Sequence, residues 1–368
     1  MRASTPKTIL FLISDTGGGH RAAATAITQA IHHLYPAKYI THVHDIWAHE
    51  TPWPINQMPR AYAWLTKSGR PIWRWLWASM SHSWVHNGLF AAMTPLIEHR
   101  LVGYLQSHQP SLVVSVHPLM NHLVMGMVKQ ANMDTPFATV VTDLITIHPV
   151  WVCPDVACCL VPTEAAYDAA IAYGLTRKQV KHCGFPVRLE FINSDSKSAS
   201  ENQPTILIVE NNQTAAIVNA LLQSIPQVDL HIVTGHNQPL YHSLQRRAWP
   251  TTVRIYGFVD NIAALLHSAD LLITKAGPGM ISEAIVAGIP MILSSYIPGQ
   301  EWGNLAYVEG NGVGRYIDEP SEIAHTAQQW LLSKNSKNDM LSQMAVNAKQ
   351  IAKPQAVFEI AQILCSLC

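Results

Sequence analysis

The apolar run Ile9-Leu10-Phe11-Leu12-Ile13 passes through Ser14-Asp15-Thr16-Gly17-Gly18-Gly19 directly into His20-Arg21 and a helical pattern. That order, a buried strand delivered through a triple glycine into a helix, constrains the fold more than any other stretch. Glycine takes positive φ and lets backbone amides approach a ligand, and the helix start behind it presents unpaired donors with a partial positive charge. Such a turn suits an anion, or a group that becomes one during reaction. The segment is not the dinucleotide fingerprint G-x-G-x-x-G, and it lacks the Lys-Ser/Thr ending of a P-loop. A tight turn with no chemistry would use the same glycines. His20 favours chemistry, because an imidazole titrates near neutrality and stands at the carboxyl end of a strand, where open α/β sheets bind ligands. Asp15 reads as a residue that stabilises the turn.

Apolar strand-like runs alternate with helical patterns along the first half: Thr8 to Ile13, Leu112 to Val116 and Phe137 to Thr142, with helices between. Alternation of this kind predicts a parallel sheet flanked by helices. The polar, serine-rich stretch 193–204 has no apolar periodicity and reads as a linker. Beyond it the pattern restarts with Thr205 to Val209, Leu230 to Thr234, Arg254 to Tyr256, Leu271 to Thr274 and Pro290 to Leu293. The expected organisation is an α/β protein of two Rossmann-like domains, 1–192 and 205–350, facing across a cleft. A last helix, 351–368, places Val357, Ile360 and Leu364 at helical spacing and is expected to pack back on the first domain.

Composition excludes several classes. With 48% hydrophobic and 13% charged residues the chain is globular, and Lys plus Arg equals Asp plus Glu at 24 each. No global field attracts nucleic acid. The apolar run after the leader is too short for a signal-peptide core, and none approaches a membrane span, so a soluble or peripheral protein with reduced thiols is expected. No Asp-x-Asp occurs, and no divalent metal is expected.

The insertion between Trp47 and Phe90 differs from the rest. It holds Trp47, Trp53, Trp64, Trp73, Trp75, Trp77 and Trp84, and residues 60–100 carry Arg60, Lys67, Arg70, Arg74 and Arg100 against the single acid Glu98. Tryptophan and arginine together suit a lipid headgroup layer. Trp47 and Trp84 are expected in the core, whereas Trp73, Trp75 and Trp77 are expected at the membrane.

A second strand, turn and helix, Thr274-Lys275-Ala276-Gly277-Pro278-Gly279-Met280, sets a lysine beside backbone donors, which suits a diphosphate. Pro298-Gly299-Gln300-Glu301-Trp302-Gly303-Asn304 follows, with amides and a carboxylate suited to sugar hydroxyls. Together with Ser115-Val116-His117-Pro118-Leu119-Met120, Val141-Thr142-Asp143-Leu144, Gly184-Phe185-Pro186-Val187-Arg188 and Gly257-Phe258-Val259, these segments are in family order from residue 9 to about 315. The chain resembles the monogalactosyldiacylglycerol synthase and processive diacylglycerol glucosyltransferase family, a distant relative of the lipid II-forming N-acetylglucosaminyltransferase.

The resemblance implies a GT-B fold, with the acceptor on the first domain and a UDP-sugar on the second. It implies an inverting hexosyltransferase, galactose favoured, acting on the free hydroxyl of 1,2-diacylglycerol at the cytoplasmic face of a membrane, whose anionic lipids are expected partners. A UDP-glucose-dependent enzyme and a lipid II-type transferase are the alternatives. His20 is similar to the family's base, and the backbone of Gly18 and Gly19 beside it is expected to bind the UDP-sugar. Lys275, Ala276, Gly277, Pro278 and Gly279 resemble the diphosphate cradle, Glu283 the ribose ligand, Phe258 and Val259 the uracil contact, and Gln300, Glu301 and Asn304 the sugar readers. Asp143 is expected to orient an imidazole, either His20 or His148. His117 and His148 each precede a proline near the acceptor, as ligand contacts or as plain loop histidines. The chain departs from the family at Glu210-Asn211-Asn212-Gln213, where a glycine-rich loop is usual.

Overall fold

Two six-stranded parallel sheets organise the chain, each carrying its own core. The computed structural model describes residues 5–16, 18–67, 69–131, 133–192, 203–209, 213–334, 336 and 339–368. Gly17, most of the expected linker and Glu210 to Asn212 of the glycine-poor loop lie outside the described residues.

The first sheet contains β1 (Lys7–Ile13), β2 (Tyr39–Asp45), β3 (Leu112–Ser115), β4 (Phe137–Val140), β5 (Cys158–Val161) and β6 (Val180–His182), in the order β2-β1-β3-β4-β5-β6. Ile9 to Ile13 are wholly buried, as a strand covered by helices on both faces requires. The strand order reverses between β1 and β3, so the loops leaving their carboxyl ends flank a crevice of the kind that holds ligands in open α/β sheets. The helix Gly19–Leu34 follows β1 and buries Ala23, Ala24, Ala26, Ile27, Ala30 and Ile31. Between β2 and β3 the tryptophan-rich insertion folds as the helices Ile46–Glu50, Met58–Lys67, Arg70–Ser79 and Ser83–His108.

The second sheet contains β7 (Thr205–Val209), β8 (Asp229–Val233), β9 (Val253–Tyr256), β10 (Leu271–Lys275), β11 (Met291–Ser295) and β12 (Gly314–Tyr316), ordered β12-β11-β10-β7-β8-β9. This is the dinucleotide-domain order, with its reversal between β7 and β10. The turn after β10 therefore sits at the switch point.

Packing divides the chain into 1–189, 297–300 and 353–368 on one side and 190–296 with 301–352 on the other. The helix Ala356–Ser366 buries Ala356, Val357, Ile360, Ala361 and Leu364, packs on Gly19–Leu34 and takes the Tyr39 hydroxyl on the Cys365 carbonyl at 3.2 Å. Gly184, at φ 108°, makes that docking possible, because a Cβ there would stand 2.9 Å from the Ala356 side chain. The segment Ile297–Gln300 groups with the first unit, which sequence reading did not anticipate. Gly299, at φ 86°, would bring a Cβ to 3.3 Å from the Trp77 indole.

Candidate functional site

In the first unit the turn after β1 ends on Gly18, whose left-handed conformation (φ 76°, ψ −25°) opens the helix Gly19–Leu34 without a side-chain cap. A Cβ would strain that conformation, which explains glycine there. The turn is braced by Asp45, which accepts from the Asp15 amide at 2.9 Å, and by Arg21, which grips Asp15 in a two-pronged ion pair. Asp15 is thus a structural residue of the turn.

His20 is the second residue of that helix. Its Nδ1 lies 3.0 Å from the Thr142 hydroxyl after β4, and its ring meets His117 edge-on at 4.7 Å. The imidazole joins loops from β1, β3 and β4 at the crevice. Burial pushes His20 down to about 4, with the Val116 backbone and the Asp15 carboxylate pulling partly back. His117 is held well below the usual imidazole range, first by burial and then by repulsion from His20. His20 is uncharged at neutral pH, the form a base requires.

His117 and His148 share a structural role. Each accepts a backbone N–H on Nδ1, from Leu119 at 3.3 Å and from Val150 at 3.2 Å, and so caps a short 3-10 turn opened by the following proline. His148 then carries its proton on Nε2 and donates to the Trp77 carbonyl at 3.1 Å, with burial holding it near about 4. It fastens the helix Arg70–Ser79 to the sheet, in place of the expected acceptor contact. Asp143 also departs from expectation. The buried Asp143 carboxylate accepts from the Trp151 indole at 2.7 Å, while the Thr142 hydroxyl meets His20 and the Trp77 carbonyl accepts the hydrogen bond from His148. Trp151 is wholly buried with its ring 6.4 Å from His20, so the carboxylate orients the wall beside the imidazole.

The tryptophans sort by helix face. Trp73 and Trp77, four residues apart, stack at 5.3 Å and are buried against Tyr62 and His148 respectively, which corrects their expected membrane exposure. Residues four apart share a face, and Trp75 lies on the other, 69% exposed. Trp84, expected in the core, is 76% exposed near the start of its helix, and Trp53 and Trp64 are also exposed. Trp47 is buried as expected. Among the described residues no helix is long and apolar enough to cross a membrane.

In the second unit β10 slips register at Thr274/Lys275 and the chain turns sharply, the Gly277 amide donating to the Lys275 carbonyl at 2.8 Å. The helix Pro278–Ala287 starts there with Gly277 at its cap, a residue that supplies no side-chain cap bond. A Cβ added at Gly277 would meet Lys275 Cε at 3.4 Å and a Glu301 carboxylate oxygen at 3.9 Å, ordinary contact distances that put both side chains beside the turn. Exposed Lys275, the turn's backbone through Ala276, Pro278 and Gly279, and buried Glu301 are thereby brought together. Glu283 is buried one turn into the same helix. Asn304 is buried and donates to the Ala276 carbonyl at 2.8 Å, so it braces the turn instead of standing free to read a sugar. Gln300 accepts from the Tyr62 hydroxyl at 3.1 Å within the first unit. Phe258 is 60% exposed beside Val259 and stacks on His236 at 4.4 Å, a planar pair at the carboxyl ends of β8 and β9.

Sequence reading missed Thr142, Trp151 and His236. Thr142 lay within a quoted segment, and its position at a strand end beside Asp143 was the available signal.

Two doubly wound sheets, each with a glycine turn at its switch point, define the GT-B class of fold. Solved structures share it: MurG of Acinetobacter baumannii (TM-score 0.61, 14% identity, 98% of this chain and 100% of that one) and Anabaena HepE in complex with UDP and glucose (TM-score 0.59, 15% identity, 97% and 99%). The monogalactosyldiacylglycerol (MGDG) synthase family model matches residues 20–187, and that of the glycosyltransferase family 28 C-terminal domain matches 207–360. The chain is 36% identical over 381 residues to the chloroplastic monogalactosyldiacylglycerol synthase of Spinacia oleracea, covering 98% of this chain and 72% of that one. It is 34% identical to monogalactosyldiacylglycerol synthase 1 of Arabidopsis thaliana, with 98% and 71% covered. The chain belongs to the monogalactosyldiacylglycerol synthase family.

Proposed function

We propose that this protein transfers a hexose, galactose favoured, from a UDP-sugar to the free hydroxyl of 1,2-diacylglycerol, with inversion at the anomeric carbon. The observation that carries the reading is a neutral, buried-edge imidazole at the first switch point in a chain whose whole length matches galactolipid synthases. His20 takes the proton of the acceptor hydroxyl as that oxygen attacks the anomeric carbon. The sugar–phosphate bond breaks and its electron pair passes to UDP. Lys275 and the helix-start amides after Gly277 meet the diphosphate charge, the arrangement that lowers a barrier when charge develops on a leaving group. Phe258 with His236 offers the uracil a face, Glu283 serves the ribose, and Glu301 reads sugar hydroxyls. No metal is needed for this scheme, so a chelator should leave the rate unchanged.

The acceptor resides in a bilayer. The exposed indoles of Trp53, Trp64, Trp75 and Trp84, with exposed Ile72 and Leu96 and the cations Arg74 and Arg100, support peripheral attachment to an anionic cytoplasmic leaflet through the helical insertion. Incubating the protein with diacylglycerol vesicles and radiolabelled UDP-galactose or UDP-glucose, then resolving the lipids, tests the reading. A labelled monoglycosyldiacylglycerol is expected, mainly from UDP-galactose. UDP release that ignores diacylglycerol overturns it.

A further inference from the structure

The His20 ring is surrounded by three groups of different kinds. His117 presents an imidazole edge at 4.7 Å, Trp151 an indole at 6.4 Å, and Thr142 a hydroxyl at 3.0 Å from Nδ1. Among these side chains the last makes the directional polar contact at hydrogen-bond distance, and the Val116 backbone carbonyl is the further polar group at the ring. Thr142 is itself buried, 3% exposed, in the loop that follows β4, and Asp143 next to it is committed to the Trp151 indole. A carboxylate in the loop is thus used on the wall, and a neutral hydroxyl is used on the imidazole.

We infer that Thr142 is the positioning residue of the base: its hydroxyl oxygen accepts the Nδ1 proton of His20, fixing the tautomer whose Nε2 lone pair is free for the acceptor alcohol. The inference deepens the proposed transfer and rests on that reading for its catalytic half. A neutral imidazole has one N–H and one lone pair, and the partner of one nitrogen decides which atom holds the lone pair. With the proton on Nδ1, Nε2 accepts the alcohol proton as the oxygen attacks carbon. The resulting imidazolium has two N–H groups, and the Thr142 hydroxyl and the Val116 backbone are the oxygens on hand to serve it.

A hydroxyl differs from a carboxylate here in a way that can be read out. A carboxylate on Nδ1 would stabilise the imidazolium and draw the titration of His20 upward. Thr142 orients the ring and adds no charge, so the base stays deprotonated into mildly acidic solution. A loss of mere packing would leave the tautomer and the pH profile where they are.

The test uses the full chain, with Thr142→Val to remove the hydroxyl at nearly constant shape and Thr142→Ser to keep it. Nitrogen-15 NMR of the histidine rings, assigned with His20→Gln, reads the tautomer without any substrate. The Nδ1–H form is expected in the parent and in Thr142→Ser, and a mixed or inverted population in Thr142→Val. With diacylglycerol vesicles, kcat of Thr142→Val should fall on the order of 10–100-fold, a part of what a general base contributes, with KM for the UDP-sugar unchanged. Thr142→Ser should stay within about threefold of the parent. An Nε2–H tautomer in the parent overturns the inference, as does a folded Thr142→Val with parental kcat. Should no acceptor support turnover in any of the three proteins, the transfer reading fails while the tautomer measurement still decides the role of Thr142.

Discussion

The turn at Gly18–His20 and the turn at Lys275–Gly279 are the same device put to opposite uses. Each follows a buried strand at its sheet's switch point, and each opens a helix whose cap residue is a glycine without a side-chain bond. In the first, the group is an imidazole kept neutral by burial, with an uncharged hydroxyl at its Nδ1. In the second it is an exposed ammonium beside a helix start whose cap residue offers no side chain. A helix start alone therefore does not fix the sign of the group it serves. In the proposed transfer, the side chain at or before the turn, and how much water it keeps, decides whether the site handles a proton or a diphosphate.

The sharpest attempt to break this contrast is His20→Ala, for which kcat should fall about 10²–10⁴-fold with UDP affinity unchanged, by single-turnover kinetics and calorimetry. An equal loss of UDP binding would show that the two turns do not divide the work. Lys275→Ala should do the reverse, weakening UDP by roughly 10–100-fold, the worth of a charge-assisted hydrogen bond, without moving the pH profile. The brace behind the second turn is a smaller lever. Asn304→Ala strands the buried Ala276 carbonyl and should cost about 1–3 kcal/mol in chemical denaturation. A loss of UDP affinity with no loss of stability would instead return Asn304 to the ligand.

Acid sharpens the first turn. His20 and His148 each sit near about 4 against an ordinary 6.5, so between those values the unfolded chain binds more protons than the native one. Stability is complete above pH 6.5 and declines as pH falls toward 4, by at most about 1.4 kcal/mol per pH unit for buried His148. The acid limb of kcat/KM should lie near 4, and a limb near 6.5 would mean that His20 is more hydrated than its neighbours allow. The smallest expected effect is at the insertion. Trp75→Ser with Trp84→Ser should reduce sedimentation with anionic vesicles several-fold, whereas Trp73→Ser and Trp77→Ser should lower stability. Unchanged sedimentation of the first pair would remove the membrane role from these indoles.

The sequence carried the buried strands well, because Ile9 to Ile13 and Leu271 to Ile273 are unbroken apolar runs that lead into turns. It hid β2, β6 and β12. These are edge strands, two of them three residues long, and β2 alternates histidine with apolar residues. β5 escaped notice because it is half cysteine. His20, Lys275 and the glycines were legible from position. The roles of Asp143, His148 and Asn304 were not, since each is set by a partner that only the folded chain brings up: an indole eight residues on, a helix-end carbonyl 71 residues away and a turn carbonyl 28 residues away. The tryptophan faces failed for a simpler reason. Reading Trp73, Trp75 and Trp77 as one cluster ignored the helical period that turns the middle ring away from the other two.

The return of residues 353–368 to the first unit has a consequence for synthesis. A ribosome completes the whole second unit before it makes the helix that packs on Gly19–Leu34. Until then, the helix Gly19–Leu34 lacks the apolar partner that packs on it, and maturation of the first unit waits on the translation of residues 356–366.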